Sequence, residues 1–132
     1  MDNMNPSGYK VLVVEDNFIN QKLIEKLLLK KGFKVFVSSN GKQAMELYHK
    51  EKFDLILMDI QMPLMDGFEA TIEIRRLEES KSFKTPIIAV TAFAMETDRV
   101  KCFEMGMDDY LPKPFTKEEF YKVIERNLPS DK

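Results

Sequence analysis

Cysteine is nearly absent: Cys102 is the only one in 132 residues. A single thiol forms no internal disulfide and no cysteine metal cluster, which suits a reducing compartment and makes the cytoplasm the expected location. Histidine is equally scarce. His49 stands beside Lys50 and Glu51 near a helix end, with no neighbour suited to catalysis or metal binding, and reads as a surface residue. No apolar run approaches the roughly 18 residues needed to cross a bilayer. The opening "MDNMNPSGYK" lacks the basic and apolar regions of a signal peptide. Basic charge is not in excess either. The chain has 20 Lys and Arg against 22 Asp and Glu, a formal net charge of -2, without the footprint of a nucleic-acid binder. A Gly-rich phosphate loop of the Walker or Rossmann kind is also missing, so nucleotide binding has no support.

What is present is a composition of 44% hydrophobic and 32% charged residues, enough for one domain with a real core. Residues 1–8 form a polar lead-in, and the domain is expected over residues 9–129. "YKVLVVED" reads as a strand ending in acids, and "NQKLIEKLLLKKG" as a helix with Ile19, Leu23, Ile24, Leu27 and Leu28 as its apolar face. "FKVFVSS", "FDLILMD", "TPIIAVTA" and "DYLP" supply four more strands. Between and after them lie helical patterns in "NGKQAMELYHKE", "DGFEATIEIRRLEE", "METDRVKCFEMG" and "TKEEFYKVIERNL". Asp66 is placed to cap the third helix, and Thr116 with Glu119 forms a capping box for the fifth. Near-continuous apolar strands alternating with amphipathic helices predict an α/β domain: a doubly wound parallel sheet covered on both faces.

The run "LILM" is built to be buried, yet it stops on a carboxylate, Asp59. Burying an ionised carboxylate is costly without compensation. In doubly wound sheets ligands bind at the carboxyl ends of the strands. With the common strand order 2-1-3-4-5, the first strand brings Glu15 and Asp16 beside Asp59. Like charges so close repel unless a cation binds them. Mg²⁺, which takes few carboxylates and accepts phosphate oxygens as further ligands, is the natural answer. The fourth strand ends in Thr91 and Lys113 follows the fifth, so the four strand ends assemble a phosphoryl-handling site.

Four motifs in this order, "VLVVEDN", "LILMDIQMPLMDG", "IIAVTA" and "DDYLPKPF", resemble the receiver domain of two-component response regulators over nearly the whole chain. The resemblance implies a five-unit flavodoxin-like fold. It implies that Asp59 accepts a phosphoryl group from a phosphohistidine on a partner histidine kinase or histidine phosphotransfer protein. Glu15, Asp16, the Asp59 carboxylate and the Gln61 backbone carbonyl would hold Mg²⁺. Lys113 would pair with Asp59 and then with phosphoryl oxygens. Thr91 would swing to the phosphoryl group, Tyr110 would follow it inward, and the change would reach the face made by the fourth helix, fifth strand and fifth helix. Pro114 matches a position with a cis peptide in the family. Gln61 and Phe93 flank the expected phosphoryl group, where a bulky Phe93 would shield it and slow self-hydrolysis.

"EDNFINQKL", with Asn17 and Asn20 after the acids, looks most like receivers fused to hybrid histidine kinases. The chain carries no ATP-binding motif and no histidine-bearing dimerisation helix, so the domain is expected to be a phosphoacceptor and not itself an enzyme. A longer parent could be a membrane-anchored histidine kinase; no nucleic-acid or membrane contact is expected of this domain. The alternatives are a stand-alone response regulator or, remotely, an aspartyl-phosphate phosphohydrolase. The latter would need an acid two residues after the nucleophile, where Gln61 stands. A flavodoxin-like cofactor binder would need a phosphate loop where "EDNFIN" offers acids.

Overall fold

The computed structural model describes residues 8–60, 66–92 and 95–129. Strands β1 (Lys10–Val14), β2 (Lys34–Ser38), β3 (Leu55–Met58), β4 (Ile87–Thr91) and β5 (Asp109–Pro112) alternate with five helices. These are α1 (Phe18–Lys30), α2 (Gly41–Lys50), α3 (Gly67–Glu78), α4 (Glu96–Glu104) and α5 (Lys117–Asn127). All pairings are parallel, in the order β2-β1-β3-β4-β5. The expected fold is therefore the observed one.

Alternation along the strands divides the core in two. Leu12, Val14, Ile56, Met58, Ile87 and Ala89 pack toward α2, α3 and α4, with Met45, Ile74 and Cys102 from those helices. Val11, Val13, Leu55, Leu57, Ile88 and Val90 pack toward α1 and α5, meeting Ile24, Leu28, Phe120 and Ile124. Each large side chain so enclosed contributes about 2 kcal/mol of transfer free energy. That sum is what makes the strand ends rigid supports.

The helix termini follow local chemistry. Asp66 accepts the Glu69 N–H, and the Glu69 side chain accepts the Asp66 N–H in return. Thr116 and Glu119 form the same reciprocal pair. Gly32, at φ 92°, ends the α1 region in the left-handed conformation that glycine adopts without strain. Gly67 has a different reason. A Cβ there would stand 2.3 Å from the Asp59 carbonyl oxygen and 2.7 Å from the Ile60 Cα, so only glycine lets α3 start against the end of β3.

One helix face differs from expectation. The buried residues of α1 are Gln21, Ile24 and Leu28, whereas Ile19 is 77% exposed and Phe18 67%; Leu23 also faces solvent and Leu27 is half-buried. Of the expected apolar face, Ile24 and Leu28 are buried as the spacing predicts, whereas Ile19 and Leu23 turn outward and Gln21, whose amide bonds to carbonyls beneath the helix, turns inward. No helix among the described residues is long and apolar enough to cross a membrane. The lead-in up to residue 7, the Gln61 carbonyl, and the predicted shielding by Gln61 and Phe93 lie outside the described residues.

Candidate functional site

Register brings the acids together. Val14 pairs with Met58, so the next residues, Glu15 and Asp59, leave adjacent strands at one level. The Asp59 N–H donates to the Val14 carbonyl at 2.9 Å, and the Glu15 N–H to that of Ser38 at 3.0 Å, so both backbones are held past the strand ends. Carboxylate oxygens of Glu15, Asp16 and Asp59 all lie within 4.8 Å of one another. On the far side Thr91 pairs with Pro112, and the Lys113 N–H donates to the Thr91 carbonyl at 2.8 Å. This places the Lys113 side chain at the cleft. The Lys113–Pro114 peptide is cis, as the resemblance implies.

The cleft has a volume of about 280 Å³ and is lined by the three acids with Asn17, Asn20, Thr91, Ala92 and Lys113. Glu15 is 2% exposed and Asp59 8%, whereas Asp16 is exposed at the mouth. Burial pushes the Glu15 carboxyl above its usual value; the Lys113 hydrogen bond opposes that rise and the Asp59 charge adds to it. The Lys113 ammonium reaches Glu15 Oε1 at 2.6 Å and Asp59 Oδ2 at 3.7 Å. The expected pairing with Asp59 is present, but the shorter contact is to Glu15, whose other oxygen accepts the Asn17 N–H at 3.1 Å. Among the described residues three carboxylates lie near one ammonium. Such a cluster of hard oxygen donors, partly open to solvent, fits a divalent cation such as Mg²⁺.

Tyr110 is not among the residues lining the cleft. It sits on β5 opposite Ala89 and packs, half-buried, against the core on the α4 side. Its hydroxyl is buried without a hydrogen-bond partner among the described residues, and burial pushes its pKa up. Cys102 is fully buried, and His49 is exposed, as expected of a surface residue. For two residues that abut the backbone of the site, the sequence does not reveal the contact. Gly67 is marked by its Asp-Gly turn, but nothing local reveals that it abuts the Asp59 backbone. Gln21 hides as a polar residue in an apolar helix.

The family description "response regulator receiver domain" matches residues 11–125. The chain is 49% identical over 124 residues to hybrid signal transduction histidine kinase I of Dictyostelium discoideum; the match covers 90% of this chain and 7% of that protein. It superimposes with a TM-score of 0.82 on the receiver domain of the sensor histidine kinase PA1611 from Pseudomonas aeruginosa. That structure holds a magnesium ion in its active-site cleft; the two are 40% identical over 92% of this chain and 98% of that one. A TM-score of 0.87 relates it to a chain of the Saccharomyces cerevisiae co-crystal of the phosphotransfer protein Ypd1 and the receiver domain of Ssk1. Identity there is 32%, covering 98% of this chain and 97% of that one. The chain thus spans a small fraction of the hybrid kinase it matches and nearly the whole of each isolated receiver. The acidic cleft at the strand ends and these matches agree: the chain belongs to the response regulator receiver domains, the phosphoacceptor modules of two-component signalling.

Proposed function

We propose that Asp59 is the phosphoryl acceptor of this receiver. Glu15 and Asp16 hold Mg²⁺ with it, and Lys113 stabilises the transferred group. The observation that carries this reading is the position of Asp59. It is the central acid of the cleft, held by the β1–β3 ladder, with two further carboxylates and an ammonium in reach. An ionised carboxylate is already a nucleophile and needs no general base. It attacks phosphorus, the phosphoramidate N–P bond of the donor's phosphohistidine breaks, and the imidazole leaves. Lys113, 3.7 Å from the Asp59 oxygen, is within reach of a phosphoryl oxygen added there. Bound Mg²⁺ supplies neutralisation of the charge that builds on the equatorial oxygens. Asp16, at the mouth, and Asp59 present carboxylates to the ion, whereas Glu15 also keeps Lys113 in place.

The donor is a histidine kinase or a histidine phosphotransfer protein. Phe18, Ile19 and Leu23 form an exposed apolar strip on α1 beside the cleft, and an apolar groove of about 360 Å³ continues it past Pro114 and Phe115. A phosphohistidine on a helical partner laid along this strip would reach Asp59. The similarity to hybrid kinases supports a relay role within, or next to, a protein of that kind.

Thr91 and Tyr110 form the switch. The buried hydroxyl of Tyr110 has no partner among the described residues, so a rearrangement that gives it one is favoured. Helix α4 has Cys102 as its one fully buried residue, and Val100 and Phe103 are exposed, which suits a face that adjusts.

The test is incubation with acetyl phosphate and Mg²⁺ followed by intact-mass measurement. One phosphoryl adduct is expected, lost with chelator and absent in Asp59→Asn. An adduct of equal yield in Asp59→Asn would overturn the assignment. In a second arm, Phe18→Ser with Ile19→Ser slows transfer from a phosphohistidine partner while leaving acetyl phosphate labelling unchanged.

A further inference from the structure

Helix α1 buries Gln21, at 7% exposed, while it leaves Phe18 and Ile19 in solvent. Turning an amide inward and two large apolar side chains outward costs free energy unless the amide is hydrogen-bonded. Its nitrogen is, twice. The Gln21 Nε2 donates to the Glu15 carbonyl at 3.0 Å and to the Ser38 carbonyl at 3.3 Å. The Glu15 N–H already donates to that same Ser38 carbonyl. The peptide groups on both sides of Glu15 are therefore tied down, one by β2 and one by α1.

We propose that Gln21 is a positioning residue for the cation site: it fixes the backbone from which Glu15 and Asp16 project, and so sets the affinity for Mg²⁺. It touches no reacting atom. Its effect runs through the Glu15–Asp16 peptide, whose carbonyl it holds. With that carbonyl released, the Glu15 side chain loses its aim toward Lys113 and the Asn17 N–H, and Asp16 no longer converges on Asp59. Partners that orient metal ligands from outside the coordination sphere typically tune metal affinity by about 10- to 100-fold. The inference rests on Mg²⁺ binding at the acidic cluster and adds the residue that sets its strength.

Gln21→Leu keeps the volume and removes the donors. Mg²⁺ titration by calorimetry is expected to show a dissociation constant raised by roughly 10-fold or more. The maximal rate of labelling by acetyl phosphate returns at saturating Mg²⁺. A metal-free readout is hydrogen exchange at the Asn17 amide, which Glu15 Oε2 protects and which should quicken. Leu28→Ala serves as the control for a merely structural role, since it loosens the same helix from the core without touching the loop. It should lower the melting temperature and leave the Mg²⁺ constant of the folded protein unchanged. If Gln21→Leu does not fold, Gln21→Glu, of equal length, replaces it, and the same weakening is expected because a carboxylate oxygen then faces two carbonyls. An unchanged Mg²⁺ constant in the folded Gln21 variant overturns the inference, as does equal weakening in Leu28→Ala. Absence of Mg²⁺ binding by the unsubstituted protein overturns the cation-site reading itself.

Discussion

Buried charge occurs at both ends of the sheet, and the two ends treat it differently. At the amino ends of the strands, Arg75 of α3 lies between Glu78 and Asp108, at 2.7 Å from each, and also donates to the carbonyls of Thr85 and Gly106. Lys84 adds a contact to Asp108 at 3.2 Å. Glu78 accepts from the Tyr48 hydroxyl at 2.9 Å and from the Thr85 N–H at 3.0 Å. Burial would raise the Glu78 pKa, but the hydrogen bonds from Thr85, Tyr48 and Arg75 overcome it and hold the carboxyl below its usual value; Tyr48 in turn is pushed up to about 12. At the carboxyl ends, Lys113 reaches Glu15 and Asp59 while Asp16 stands beside them, and Glu15 is shifted the opposite way. In the first cluster each carboxylate meets cations or hydrogen-bond donors among the described residues. In the second, the described residues set three carboxylates around one ammonium, an arrangement that suits a divalent cation.

The largest test of this contrast is Arg75→Met. Removing one partner of a buried, hydrogen-bonded ion network typically costs about 3–5 kcal/mol. The urea midpoint should fall by a corresponding amount at constant slope, while the folded fraction still takes up a phosphoryl group. Loss of Mg²⁺ binding in folded Arg75→Met would show that the two ends are not independent.

Gly67→Ala sharpens the other end. The added Cβ forces the Asp59 backbone to move, and small misplacements of a reacting group can cost roughly 10²-fold in rate. Acetyl phosphate labelling should slow by that order while Arg75 and its partners are undisturbed. Labelling at the parental rate would mean that the start of α3 yields without moving the nucleophile.

Mg²⁺ should act on one end alone. At 100-fold above its dissociation constant it should stabilise the fold by about 2.7 kcal/mol, read as a higher melting temperature than in NaCl of equal ionic strength. Asp16→Asn should abolish most of that rise. An equal rise in Asp16→Asn would point to general screening of the acids.

The smallest effect is in acid. Glu78 and Asp109 both have folded-state pKa values below their reference values of 4.5 and 3.8. For Asp109 burial acts upward, and the hydrogen bonds from Arg126 and Asn127 win. A depressed carboxyl contributes stability that is present above the unfolded pKa and is lost as pH falls through the folded one. Stability should therefore decline below about pH 4.5, and more gently in Glu78→Gln. A pH profile in Glu78→Gln as steep as that of the parent would remove Glu78 from this account.

Some of this is legible in the amino-acid sequence alone. The caps at Asp66 and Thr116 involve residues three apart, so their bonding is written into local spacing. The acids at the ends of "VLVV" and "LILM" stood out because a buried run rarely finishes on charge. The inward position of Gln21 on α1 was not legible, since it is held by carbonyls of Glu15 and Ser38, the latter 17 residues away. The need for glycine at Gly67 was not legible because its reason, the backbone of Asp59, appears only once α3 packs against β3. The Arg75 network joins α2, α3, the entrance to β4 and the turn before β5, and nothing along the chain groups those segments.

The sequence by itself determined the alternation of strands and helices, the helix caps, and the identity of the acids, hydroxyl and ammonium that gather at the cleft. Those depend on apolar periodicity and on contacts a few residues long. Only the tertiary structure decided which face of α1 is buried, that Lys113 bonds Glu15 more closely than Asp59, and which buried charges are neutralised. Compensation of charge is a property of distances in space, and the partners that supply it here are brought together from as many as 98 residues apart in the chain.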